Sequence, residues 1–302
     1  MTEQESRANG RPDGSGHGRQ GGQGGQGGGN SDGDGVDRFL SQIDEAAARE
    51  RLGGRRAVYP GTQSQSGSLG CAVTGIVVLG GIALALSQTA AAVMAVLPLG
   101  LLLVVPFAIW HERSTSRKNR GLRIDLFDHG LTAVVQGRVH TVRYESTSVL
   151  QHIVRHTGAG GYTAYEYTVT DTEGGRVVLR GRADRMGEVA EKGKFGRPQD
   201  WGPAIQNAVT RAQLPGAAAA MESGGRLDFG PLWMTRDEIG SARGSVPWHE
   251  IEQIRAANGI VTVKVAGRRR GPVDAAVSRI PNLSLFLTLA ERRRANGRRP
   301  AA

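Results

Sequence analysis

The stretch LGCAVTGIVVLGGIALALSQTAAAVMAVLPLGLLLVVPFAIW, residues 69–110, contains no Lys, Arg, Asp or Glu. As a single helix it would extend about 63 Å, roughly twice the hydrocarbon thickness of a bilayer. Split into 69–87 and 89–110, each half has the length of one crossing. The polar trio Ser87, Gln88 and Thr89 then becomes the corner between the two halves. The run therefore predicts a two-helix transmembrane hairpin. Gly81 with Ala85 and Ala91 with Ala95 are small residues four apart, which lets the two backbones approach closely. Neither half carries an ionisable residue, which argues for an anchor and against an ion or proton path.

Flanking charge sets the expected orientation. Arg51, Arg55 and Arg56 precede the run, Arg113, Arg117, Lys118 and Arg120 follow it, and the corner has none. By the positive-inside rule both termini are cytoplasmic, and the localisation expected is integral to the plasma membrane. The chain as a whole carries a net charge of +10. Residues 1–68 are net −1 and residues 111–302 net +11, so the basic excess belongs to the part after the apolar run. Such a surface attracts polyanions. Cys71 is the only cysteine, which excludes an intrachain disulfide and a multi-cysteine metal site.

Ahead of the run the pattern is polar. Residues 1–35 are rich in Gly and Gln, have little to bury, and read as a disordered tail. Residues 36–52, VDRFLSQIDEAAARERL, place Phe39, Leu40, Ile43 and Ala47 at helical spacing and read as a short amphipathic helix. Residues 53–68 read as a linker.

From residue 121 the period changes to short alternating segments. RIDLF, LTAVV, RVHTVRY, SVLQHIV, YTAYEYTVT and RVVLR read as strands. WGPAIQNAVTRAQL then reads as a helix with Ile205, Ala208, Val209 and Ala212 on one face and Pro215 as its stop. The order recurs in RLDFG, LWMT, SVPW, IEQIRA, IVTVKVA and PVDAAVS, closed by the helix PNLSLFLTLAERRR. RIDLF at 123–127 answers RLDFG at 226–230, and VRYESTSVL answers VPWHEIEQI, with Tyr144 and Trp248 as matching core positions. The reading is two diverged units, 121–214 and 222–296, each a small partly open antiparallel barrel or sheet capped by a C-terminal helix. The fold class expected is α+β.

The segments LFDHGL, WGPAIQ, VPWHEIEQI and IPNLSLFLTLAERR resemble an uncharacterised actinobacterial family of membrane proteins. In that family a transmembrane hairpin precedes tandem bacterial pleckstrin-homology-like (PH-like) domains. The resemblance covers 121–296 and the hairpin. It implies a binding platform for lipids, peptides or proteins and brings no activity with it.

No catalytic, cofactor-binding or metal-ligating residue is expected, and no cofactor. HEIEQ at 249–253 has Gln253 where a zinc-protease motif needs its second His. His152 and His156 fall on one side of a strand and read as an exposed sheet face, with His129 and His140 on a turn and a strand. HTGAGGY lies between strands, not between a strand and a helix, so it is a hairpin tip and not a phosphate loop. Two arginine clusters, Arg268, Arg269 and Arg270, and Arg292, Arg293 and Arg294, are the candidate contacts for anionic lipid head groups or a partner. The expectation is a non-enzymatic, membrane-anchored, cytosol-facing binding or scaffolding protein. Its expected partners are the membrane, crossed twice, and an unknown protein, with no nucleic acid. An unrecognised enzyme and a membrane-stress sensor are the alternatives.

Overall fold

The computed structural model describes residues 33–62, 121–184, 187–188, 193–267 and 273–297. Helix α1 (Gly33–Arg49) leads into strand β1 (Arg55–Pro60). β2 (Arg123–Phe127), β3 (Gly130–Val135) and β4 (Arg138–Arg143) complete a four-stranded antiparallel meander in the order β1-β2-β3-β4. A 3₁₀ turn at Tyr144–Ser146 passes the chain to a second meander. Its strands are β5 (Ser148–His156), β6 (Tyr162–Thr170), β7 (Arg176–Asp184) and the short β8 (Gly187–Glu188). Helix α2 (Pro198–Glu222) follows.

The second unit repeats this order. β9 (Leu227–Phe229), β10 (Leu232–Met234), β11 (Glu238–Ser241) and β12 (Gly244–Pro247) form a four-stranded meander. A 3₁₀ turn at Trp248–Glu250 leads to β13 (Ile251–Ala257), β14 (Ile260–Val265) and β15 (Asp274–Ala276). A 3₁₀ turn at Val277–Arg279 and helix α3 (Leu283–Gly297) end the unit. Tyr144 and Trp248, both buried, open the matching 3₁₀ turns.

Several expectations are corrected. The described chain has three helices and four small antiparallel sheets, not a fold led by a two-helix transmembrane hairpin. Among the described residues no helix is long and apolar enough to cross a membrane, so the structure does not support integral plasma-membrane localisation with two spans. The stretch 69–110 on which those expectations rested lies outside the described residues, as does the tail up to residue 32. Within the supposed linker 53–68, residues 55–60 are the edge strand β1, paired with β2 through Ala57–Leu126 and Tyr59–Ile124. The repeat is also shifted by one strand. RLDFG is the first strand of its unit and answers β1, while RIDLF is a second strand and answers β10.

The shift has a topological cause. In the second unit the first two strands are joined by Gly230 and Pro231 alone. In the first unit the corresponding hairpin is interrupted by the whole segment that holds the apolar run. Gly61 N–H donates to the Leu122 carbonyl at 2.6 Å, so the segment leaves and re-enters at one point. Residues 193–196 then bridge the first unit's two sheets. Phe195 N–H donates to the Arg180 carbonyl and Thr62 N–H to that of Lys194, which ties β7 to the end of β1.

The alternation on β2 is core-in and helix-out. Ile124 and Leu126 enter the core of the first unit with Trp201, Ile205 and Val209 of α2. Phe127 faces the other way, with Ile43, Ala47 and Leu52. α1 is thus docked on the outer face of the sheet. Its exit is held by the LFDHGL turn, where Asp128 Oδ2 accepts the Gly54 N–H at 2.7 Å and His129 N–H donates to the Leu52 carbonyl.

Pro215 does not stop α2. Loss of its N–H costs the helix one internal bond, but after Gly216 the run AAAAME has high helix propensity. The extension also has a packing purpose. Leu214, Ala217, Ala218 and Met221 join the core of the second unit. One helix therefore serves both cores, and Gly224, at φ +87°, sits in the left-handed cap that ends it.

Candidate functional site

The two units meet where the start of β5, the second half of α2 and the residues before α3 converge. Asn282 holds a positive φ of 50°, a conformation that Asn tolerates better than most residues. Its side chain points across the seam. Asn282 Oδ1 accepts the Val149 N–H at 2.8 Å, and Nδ2 donates to the Thr147 carbonyl and to Gln213 Oε1. Gln213 Nε2 donates in turn to the carbonyls of Tyr144 and Thr147. The Asn282 main-chain N–H reaches the Val149 carbonyl at 2.9 Å. Both amides are fully committed, and a saturated network of this kind specifies a single geometry.

Beside this network lies an open groove of about 570 Å³. Glu145, Ser146, Thr147 and Ser148 form one wall, and Ala212, Gln213, Gly216 and Ala217 of α2 form the other. Apart from Gln213 the helix wall is lined by small residues, and a Cβ added at Gly216 would meet nothing within 4 Å. Glu145 and the hydroxyls of Ser146 and Ser148 give the opposite wall its polarity. The groove can hold a chain segment or a side chain against main-chain and hydroxyl groups.

The candidate arginines take different places. Arg268, Arg269 and Arg270 lie outside the described residues. Arg292 is exposed. Arg293 is only 12% exposed and pairs with Glu222 at 2.5 Å, which fastens α3 to the end of α2. Arg294 pairs with Glu291 and donates to the Glu252 carbonyl of β13. The cluster on α3 is thus divided, with two of its three members engaged within the fold.

The histidines do not converge either. His152 is exposed, and His156 stacks on Tyr162 at 4.3 Å on the outward face of β5–β6. Arg182 covers the Tyr162 ring at 3.3 Å. His140 is half-buried on β4, where burial and the nearby Arg138 charge hold its imidazole below the ordinary value. Among the described residues no group of three or more His, Cys, Asp or Glu is placed to hold a metal ion. In the first core, burial pushes the Tyr167 phenol up to about 12, and the Tyr144 phenol is raised by the same cause.

Sequence reasoning passed over Asn282 and Gln213. The available signal was an Asn just before an apolar helical run, a helix-start position. Its use across a seam leaves no mark in a single sequence. Residues 40–299 match the model of a family of unknown function, DUF6585. No curated protein and no solved structure matches the chain.

Proposed function

The chain belongs to the DUF6585 family, and from that premise we propose that it is a non-catalytic binding and scaffolding protein in which two PH-like units act as one platform. The observation that carries this reading is the repeated order: four-stranded meander, 3₁₀ turn, three-stranded meander, closing helix. β8 is the single added strand of the first unit's second sheet. The family match runs through both units, which supports treating the pair as one working part. Sharing of α2 between two cores and the Asn282–Gln213 network favour a fixed relation between them. Such a relation suits recognition of an extended partner at the seam groove.

The test is site-specific photo-crosslinking of the full chain in its host, from Ala217 in the groove and from Gly174 on a distant turn. A discrete adduct from Ala217 that is absent from Gly174, and lost in Gly216→Leu, is the expected result. Equal labelling from both positions would overturn the reading.

A further inference from the structure

β5 is the outermost strand of its sheet, in the order β5-β6-β7-β8. It pairs with β6 over all nine residues, Ser148–Thr170 to His156–Tyr162, without a register shift. At Val149 both the N–H and the carbonyl turn away from β6 and are taken by Asn282. Outward-facing positions alternate along a strand, so Gln151, Ile153 and Arg155 present their main-chain groups at the same edge. Among the described residues nothing pairs with the main chain of Ile153 or Arg155. The corresponding strand β13 is shorter, and its Glu252 carbonyl is covered by Arg294 of α3. An uncovered edge of a long, regular strand is a template for one more strand.

The chemistry of that edge is specific. Ile153 is 45% exposed, one of only three large apolar residues so exposed among the described residues. Arg155 shares its side of the sheet, and His152 and His156 lie on the other, all exposed. β5 carries no Asp or Glu. Arg279, exposed on the 3₁₀ turn that packs beside β5, adds a further cation. On the neighbouring strands, Glu166 is already paired with Arg180 at 2.8 Å.

We infer that the edge of β5 from Ile153 to His156 takes up an acidic extended peptide as an added strand. Main-chain hydrogen bonds to Ile153 and Arg155 supply the pairing, an apolar peptide residue covers Ile153, and flanking carboxylates meet Arg155 and the two histidines. This deepens the binding-platform reading and rests on it.

The probe is a fluorescein-labelled nonapeptide of Glu with one central Val, which sets an apolar residue against Ile153 and carboxylates on both faces of the added strand, titrated into the full chain by fluorescence anisotropy. A second peptide carries N-methyl groups on alternate amides. Ile153→Pro removes an outward N–H without touching the β6 ladder, and Arg155→Glu reverses one charge on the surface. Saturable binding is expected, weakened at least about tenfold by Arg155→Glu and by added salt, and abolished by Ile153→Pro and by N-methylation. Circular dichroism confirms that both variants fold. Failure of the unmodified peptide to bind would overturn the inference, as would binding indifferent to Ile153→Pro and to N-methylation. Gly216→Leu separates the two claims, because it blocks the groove and leaves edge binding intact. A groove adduct that persists while the peptide fails to bind sinks only the edge.

Discussion

The two units solve the same problem differently on the outer faces of their four-stranded sheets. In each, the second strand sends two residues into the core, Ile124 and Leu126 in one and Leu232 and Met234 in the other. The residue between them points outward. In the second unit it is Trp233, whose ring lies across Gly240 on the paired strand and under the Arg226 guanidinium at 4.5 Å. In the first unit it is Asp125, opposite Thr132, and both are fully buried. Arg55 and Arg123 hold the Asp125 carboxylate at 2.9 and 2.6 Å, and Arg55 also pairs with Asp44 of α1. An added helix has thus turned an open face into a second small core with a charged centre. The inward pattern is kept, and the outward one is free to specialise.

The largest effects should fall on what the units share. Tyr144→Ala and Trp248→Ala remove matched core aromatics, and each will cost about 3–5 kcal/mol in denaturant unfolding. Next comes Asp125→Ala, which takes this carboxylate from Arg123 and leaves Arg55 with Asp44 beside the α1 core. Because both arginines keep partial access to water, the loss will be about 3 kcal/mol. On the aromatic side of the comparison, a Cβ at Gly240 would overlap the Trp233 ring. Gly240→Val will therefore cost about 1–3 kcal/mol.

Thr132 reverses the sign. Its buried hydroxyl has no hydrogen-bond partner among the described residues, so Thr132→Val will stabilise the protein by about 1 kcal/mol in the same assay. The smallest effect is a pH dependence confined to the first unit. The fold favours neutral His140, while the unfolded chain takes up a proton at its ordinary value near 6.5. Stability is therefore full above that value and declines as pH falls below it. His140→Gln will flatten this slope in thermal melts between pH 7 and pH 5, and β12 has no titratable side chain to replace it.

Alternation made the inner strands legible. β6 occupies the whole of YTAYEYTVT, and α2 and α3 show their apolar faces in the sequence. β1 was not legible, because RRAVYP is short and charged and its partner lies more than sixty residues on. That hidden strand also displaced the repeat by one position. Pro215 misled for a different reason: packing of Leu214 and Met221 against the second core outweighs one lost hydrogen bond. Arg293 looks like free charge in a basic tail, yet its partner Glu222 is distant in sequence, and Arg294, paired with the nearby Glu291, also reaches the distant Glu252 main-chain carbonyl. The seam was the least legible part, since two lone amides form no pattern.

Whether the two units are one body is tested most directly by native-state hydrogen exchange of the full chain across a denaturant series. The account predicts that amides of β3 and β6 in the first unit and of β14 in the second converge on one common opening free energy. It also predicts that Asn282→Ala separates them. Two distinct opening isotherms in the unmodified chain, one for each unit, would contradict it.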